Sequence, residues 1–99
     1  MSAFVVNRIR LTVPADEVIP DVEREVSPVI RALPGFEWFS VAKVGDQEVV
    51  VVIRWATAAD AANGGAVIGP GVFNTWIAPR AESQDRVVGE VVIDTVGAG

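Results

Sequence analysis

The run Glu48-Val49-Val50-Val51-Val52-Ile53 does most to restrict the folds open to this chain. Successive side chains of a strand point to opposite sides, and β-branched residues favour that extended conformation. A strand apolar on both faces has to be covered on both. The run belongs to a segment expected to be extended from Gln47 to Ala56. A second extended segment, Phe36 to Val44, precedes it across a tight turn at Gly45-Asp46, so the two read as a hairpin. Helices on one face of the sheet and a second sheet on the other would satisfy the central strand.

The flanking segments fill in the rest. Ala3 to Val13 alternates, with Val5, Ile9, Leu11 and Val13 on one side and Arg8, Arg10 and Thr12 on the other. Asn7 is the polar member of the apolar side. Pro14-Ala15-Asp16 breaks this strand, and Asp16 is expected to cap a helix with the apolar stripe Val18, Val22, Val26, Val29, Ile30 and Leu33. Pro20 falls in its first turn. Pro28 removes an internal hydrogen bond and is expected to kink the helix, which Pro34-Gly35 ends. Thr57 caps a second helix, with Asp60 completing a capping-box-like pattern, and Asn63-Gly64-Gly65 is expected to stop it early. Ala66 to Gly71 reads as an irregular loop, Val72 to Ile77 as a short helix, and Asp85 to Val96 as the last strand. The order is β-α-β-β-α-β, an α+β, ferredoxin-like arrangement with a four-stranded antiparallel sheet.

A chain of 99 residues has material for one core, so residues 1–99 are expected to form one domain. Hydrophobic residues make up 51% of it and the mean hydropathy is +0.40, high enough that part of the apolar surface is expected in a subunit interface. A net charge of −5 argues against a nucleic-acid partner, which needs clustered Lys and Arg. Cysteine, histidine and tyrosine are all absent, which removes thiolate chemistry, the commonest metal ligand and general base, and the usual protein ligands of haem. No cofactor or metal is therefore expected. Asp16, Glu17, Asp21, Glu23 and Glu25 read as a solvated helix face biased toward the N-terminus. No apolar run is long enough to span a bilayer, and the segment Met1 to Leu11 lacks the pattern of a secretory signal, so no membrane association and a cytoplasmic location are expected.

Four ordered features, Phe4-Val5-Val6-Asn7-Arg8, Leu33-Pro34-Gly35-Phe36, Val51-Val52-Ile53-Arg54-Trp55 and Val91-Val92-Ile93, resemble the antibiotic biosynthesis monooxygenase family across most of the chain. The resemblance implies a dimeric α+β barrel, in which two four-stranded sheets pack face to face and each subunit holds a pocket between its sheet and helices. It also implies, for the polyketide-tailoring branch, oxidation of anthrone-type polycyclic aromatics by molecular oxygen without metal or flavin. The functional Asn of the first strand and Trp ending the third correspond to Asn7 and Trp55. The haem-degrading branch uses a haem-ligating His and a second-helix Trp, where this chain has Ala61, Ala62 and a loop ending at Phe73.

Asn7 and Trp55 are each in phase with apolar neighbours and can share a pocket. A buried carboxamide without a partner costs about 1–3 kcal/mol, and a ligand oxygen is one partner that relieves it. As catalytic groups, the Asn7 amide would donate to the oxygen on which charge develops and Trp55 would stack on the substrate. Their structural alternatives are a backbone-bonded Asn and a Trp in the core or dimer interface. Trp38, Phe73 and Trp76 are the candidate substrate-binding aromatics, with Phe36 assigned to the core. Two other functions stay open: a non-catalytic small-ligand-binding dimeric barrel, and a cyclase or isomerase of the same fold.

Overall fold

The computed structural model describes residues 1–95. Strand β1 (Ala3–Leu11) keeps the alternation of its sequence: Val5, Asn7, Ile9 and Leu11 are buried, while Arg8 and Arg10 are exposed. With β2 (Phe36–Gly45), β3 (Glu48–Trp55) and β4 (Ala81–Glu90) it forms a four-stranded sheet in the order β2-β3-β1-β4, every neighbouring pair antiparallel. Helices connect β1 to β2 and β3 to β4, which gives the α+β, split β-α-β-β-α-β arrangement. No helix among the described residues is long and apolar enough to cross a membrane.

Between β1 and β2 the chain forms α1 (Ala15–Asp21), a π-helical stretch over Val22–Val26 and α2 (Ser27–Arg31). Asp16 does not cap α1. Pro14 holds that position, the Ala15 N–H donates to the Asp46 carbonyl at 2.7 Å, and the Asp16 carboxylate accepts from Lys43 Nζ at 3.0 Å. The expected effect of Pro28 appears as a widening: the Ser27 N–H reaches back to the Val22 carbonyl, five residues away. An internal proline costs about 3 kcal/mol. Burial of Val18, Val22, Val26 and Ile30 against the sheet contributes about 1.5–3 kcal/mol for each side chain, so the helical path survives both prolines. Gly35 then takes φ +78° and turns the chain into β2.

Helix α3 (Ala58–Ile68) begins as expected, with Thr57 Oγ1 accepting from the Asp60 N–H at 3.0 Å. It does not stop at Asn63-Gly64-Gly65, and the expected loop from Ala66 is helical as far as Ile68. Gly64 serves a different need. Trp55 packs directly beneath it, and a β-carbon there would lie 2.6 Å from the ring's Cζ2. Gly69–Ile77 continues in π-helical geometry, broken at Gly71, before a 3₁₀ turn at Ala78–Arg80.

Strand β4 is displaced from its expected position. It pairs with β1 from Ala81 opposite Leu11 to Glu90 opposite Ala3, and so ends where β1 begins. Val92 and Ile93 lie past it, 78% and 82% exposed, and Val96 lies outside the described residues.

Candidate functional site

Alternation and register together build one cavity. On the helix-facing side of the sheet, β1 presents Val5, Asn7 and Ile9, while β3 places Ile53 opposite Val5 and Val51 opposite Asn7. Ala61, Ala62, Gly65 and Ala66 of α3 face them, and the small size of these side chains leaves an opening of about 560 Å³. That is within the range of small-molecule sites, about 300–1,000 Å³.

Asn7 and Trp55 both line this cavity. Asn7 is 8% exposed, and its Nδ2 donates to Gln84 Oε1 at 2.8 Å. Trp55 is 1% exposed, with its ring edge-on to Phe36. Asn7 Oδ1 and Trp55 Nε1 are the buried side-chain polar atoms left without a partner among the described residues. Each such atom costs about 1–3 kcal/mol. Trp55 pairs with Ala3, four residues from Asn7 on β1. At 3.3 Å per residue their backbone positions lie about 13 Å apart along the sheet. The cavity is therefore a mainly apolar trough, and two of its lining residues, well separated along it, carry one unmet acceptor and one unmet donor.

Of the other aromatic candidates, only Phe73 lines the cavity, from the Gly69–Ile77 segment. Trp76 is half-buried against the core and is not among the lining residues; its carbonyl accepts from Arg80 Nη2 at 2.6 Å. Trp38 is 47% exposed on the opposite face of the sheet, its ring edge-on to Phe4 at 6.0 Å. A bulge explains its position. Phe36 pairs with Trp55 and Trp38 with the next residue back, Arg54, so Glu37 is the extra residue and the phase of β2 inverts. Phe39 takes the cavity-facing place that unbroken alternation would give Trp38.

Phe39, Gln84 and Arg86 are cavity residues that the sequence alone did not mark. Gln84 pairs with Ile9 and Arg86 with Asn7 across the β1–β4 register. Their phase with Val88 is visible in the sequence, but a mostly polar strand offers little apolar alternation by which to find it. Arg86 is the only charged side chain among the lining residues described. The charged groups with shifted protonation lie on the other face. Hydrogen bonding from Arg8 holds the Glu48 carboxyl below its ordinary value, and hydrogen bonds to Asp94 and Glu37 hold Arg54 more firmly protonated.

No protein-family model matches the sequence, and no curated protein does. Solved structures do. SnoaB, a cofactor-independent oxygenase from Streptomyces nogalater, superposes with a TM-score of 0.80 over 94% of this chain and 95% of its own, at 15% identity. NE2512 from Nitrosomonas europaea, described as a protein of unknown function, gives 0.79 over 99% and 96% at 16% identity. A monooxygenase from the gene ActVA-Orf6 of Streptomyces coelicolor, solved in complex with nanaomycin D, gives 0.68 over 94% and 93% at 17% identity. The chain thus has the fold of the antibiotic biosynthesis monooxygenases that its sequence resembles.

Proposed function

We propose that this chain is a cofactor-independent monooxygenase that uses molecular oxygen to oxidise a flat polycyclic aromatic of the anthrone type, with Asn7 and Trp55 as its catalytic residues. The observation that carries this reading is the pair of unmet polar atoms, Asn7 Oδ1 and Trp55 Nε1, on two residues that line a cavity whose walls are apolar apart from Asn7, Gln84 and Arg86. A fused three-ring guest suits the trough, with Phe39 and Phe73 against its rings. With Nδ2 engaged by Gln84, the free atom of Asn7 is an acceptor. It accepts from a substrate hydroxyl, while the indole N–H of Trp55 donates to an oxygen on which negative charge develops. This reverses the role expected for the Asn7 amide. Preorganised donors of this kind lower the barrier to forming the anion, because they need no reorganisation during reaction.

The chemistry then belongs to the substrate. Loss of a proton from the anthrone methylene gives a delocalised carbanion, which transfers an electron to oxygen. Radical recombination forms a carbon–oxygen bond, and the resulting hydroperoxide loses water to leave a carbonyl, so one anthrone and one O₂ become one quinone and one water. No carboxylate, histidine or lysine is among the lining residues described. The proton goes to solvent at the cavity mouth, which restricts the substrate to one acidified by its own aromatic system.

Two copies are proposed to pack through the face of the sheet that carries no helices. Phe4, Val6, Val50 and Val52 are half-buried there in the single chain, with Trp38 and Val87 exposed beside them. An apolar face of this kind supports a sheet-to-sheet dimer.

Dithranol serves as a model substrate. Quinone formation in air that stops under argon, consumes O₂ and falls about 100-fold in Asn7→Ala or Trp55→Phe is the expected result. No protein-dependent quinone in air, or full activity in both variants, would overturn the reading. The absence of a lining general base favours one competing reading, a protein that only binds its ligand. Tight binding without oxygen uptake would establish that alternative.

A further inference from the structure

We infer that Arg86 anchors an anionic group on the ligand, so that the guest of this cavity is an aromatic carboxylate. The inference rests on the reading of the cavity as the site of a flat aromatic and adds the chemistry on the β4 side of it. Arg8, Arg10, Arg24, Lys43, Arg54 and Arg80 each form an ion pair with a carboxylate. Among the described residues, that leaves Arg31 and Arg86. Arg31 lies in the last turn of α2, where a cation complements the helix carbonyls. Arg86 has no such assignment, and it is the charged group of the cavity wall.

Its surroundings are those of an anion receptor. Arg86 pairs with Asn7 across the sheet, and Gln84, two residues away on the same face, is bonded to the Asn7 amide through Oε1. That bond engages Oε1 and leaves Nε2 of the exposed Gln84 as a donor. On the other side, the guanidinium lies close to α3: a β-carbon on Gly65 would stand 3.2 Å from Arg86 Nη2. Arg86 as a whole is exposed, with its guanidinium beside this small-residue wall. A guanidinium presents paired donors that match the two oxygens of a carboxylate. In a chain of net charge −5 this is a local reversal of sign on the β4 side of a mainly apolar trough. A flat ligand can lay its rings along the trough and place its carboxylate there.

The test uses binding, which needs no turnover. Anthraquinone-2-carboxylate and its neutral carboxamide are titrated into the purified protein and followed by tryptophan fluorescence and calorimetry. The expected result is roughly fivefold to tenfold tighter binding of the carboxylate, a preference that shrinks with added salt, disappears in Arg86→Gln and is reduced but retained in Arg86→Lys. Equal binding of the two probes, a preference that survives Arg86→Gln, or an equal loss of both probes in that variant would overturn the assignment. Selective carboxylate binding without oxygen uptake on an anthrone would refute the oxygenase reading and leave this one standing. Oxygen uptake without charge preference would do the reverse, and failure of both probes to bind would remove both.

Discussion

Trp55 and Gly64 are packed so closely that the glycine's missing side chain is what admits the indole under α3, with the would-be β-carbon 2.6 Å from Cζ2. Replacing a helical glycine by alanine gains about 1 kcal/mol in propensity. Forcing a methyl into occupied space costs about 1–3 kcal/mol or more. The ring is 1% exposed and held by β3, so the steric cost prevails. Gly64→Ala is expected to destabilise the fold by about 1–2 kcal/mol, read as a lower urea midpoint with an unchanged slope. A stabilised variant would show that the indole gives way freely.

Asn7→Leu separates function from stability. It deletes an unmet buried acceptor, and its loss frees Gln84, whose exposed amide can turn to water. Replacing an unsatisfied polar group by an apolar one of similar shape is nearly neutral or stabilising. The expected outcome is a thermal midpoint equal to or above that of the wild type, together with loss of oxygen uptake on an anthrone. A large drop in stability would mean that Asn7 serves the fold.

Val52→Glu places a charge in the middle of the helix-free sheet face, opposite Val6. Val52 points away from the cavity, so the fold of the subunit is expected to persist by circular dichroism. Sedimentation is expected to report a dimer for the wild type and a monomer for the variant. An unchanged sedimentation coefficient would move the interface elsewhere.

Glu48 links stability to pH. Its carboxylate accepts from Arg8 Nε at 2.8 Å and lies 3.5 Å from Arg10 Nη2, and the Arg8 hydrogen bond leads in holding its carboxyl below the ordinary value. A folded value below the unfolded one stabilises the protein above about pH 4.3, and the gain disappears as acid protonates the carboxylate. Glu48→Gln is therefore expected to be less stable than the wild type near pH 7, with the two curves converging as the pH falls below about 4. Parallel curves across that range would show that the arginine contacts contribute nothing.

The parts of the site that the sequence revealed are those encoded by a single strand's own alternation. Asn7 stands between Val5 and Ile9 wherever β1 is placed, and Trp55 follows Ile53 by one full alternation. Trp38 depends on a bulge at Glu37, which no residue of Phe36-Glu37-Trp38 announces and which inverts the phase of β2 from Trp38 to Lys43. Gln84 and Arg86 belong to a strand whose residues are almost all exposed, so its existence comes from pairing with β1. Gly64-Gly65 reads as a helix stop because local propensity says so. Only the ring beneath Gly64 reveals that the glycine is there to let another element approach.

Apart from Ile68 at its end, the wall contributed by α3 opposite the sheet consists of alanines and a glycine, Ala61, Ala62, Gly65 and Ala66. Such residues have no rotamers to swing aside, so the clearance above a guest is gauged by the backbone itself. If the cavity takes the flat guest proposed for it, that backbone is the ceiling the guest meets. Each methyl added at Ala62 or Gly65 would lower that ceiling in a fixed step, which makes ligand thickness a property adjustable one carbon at a time.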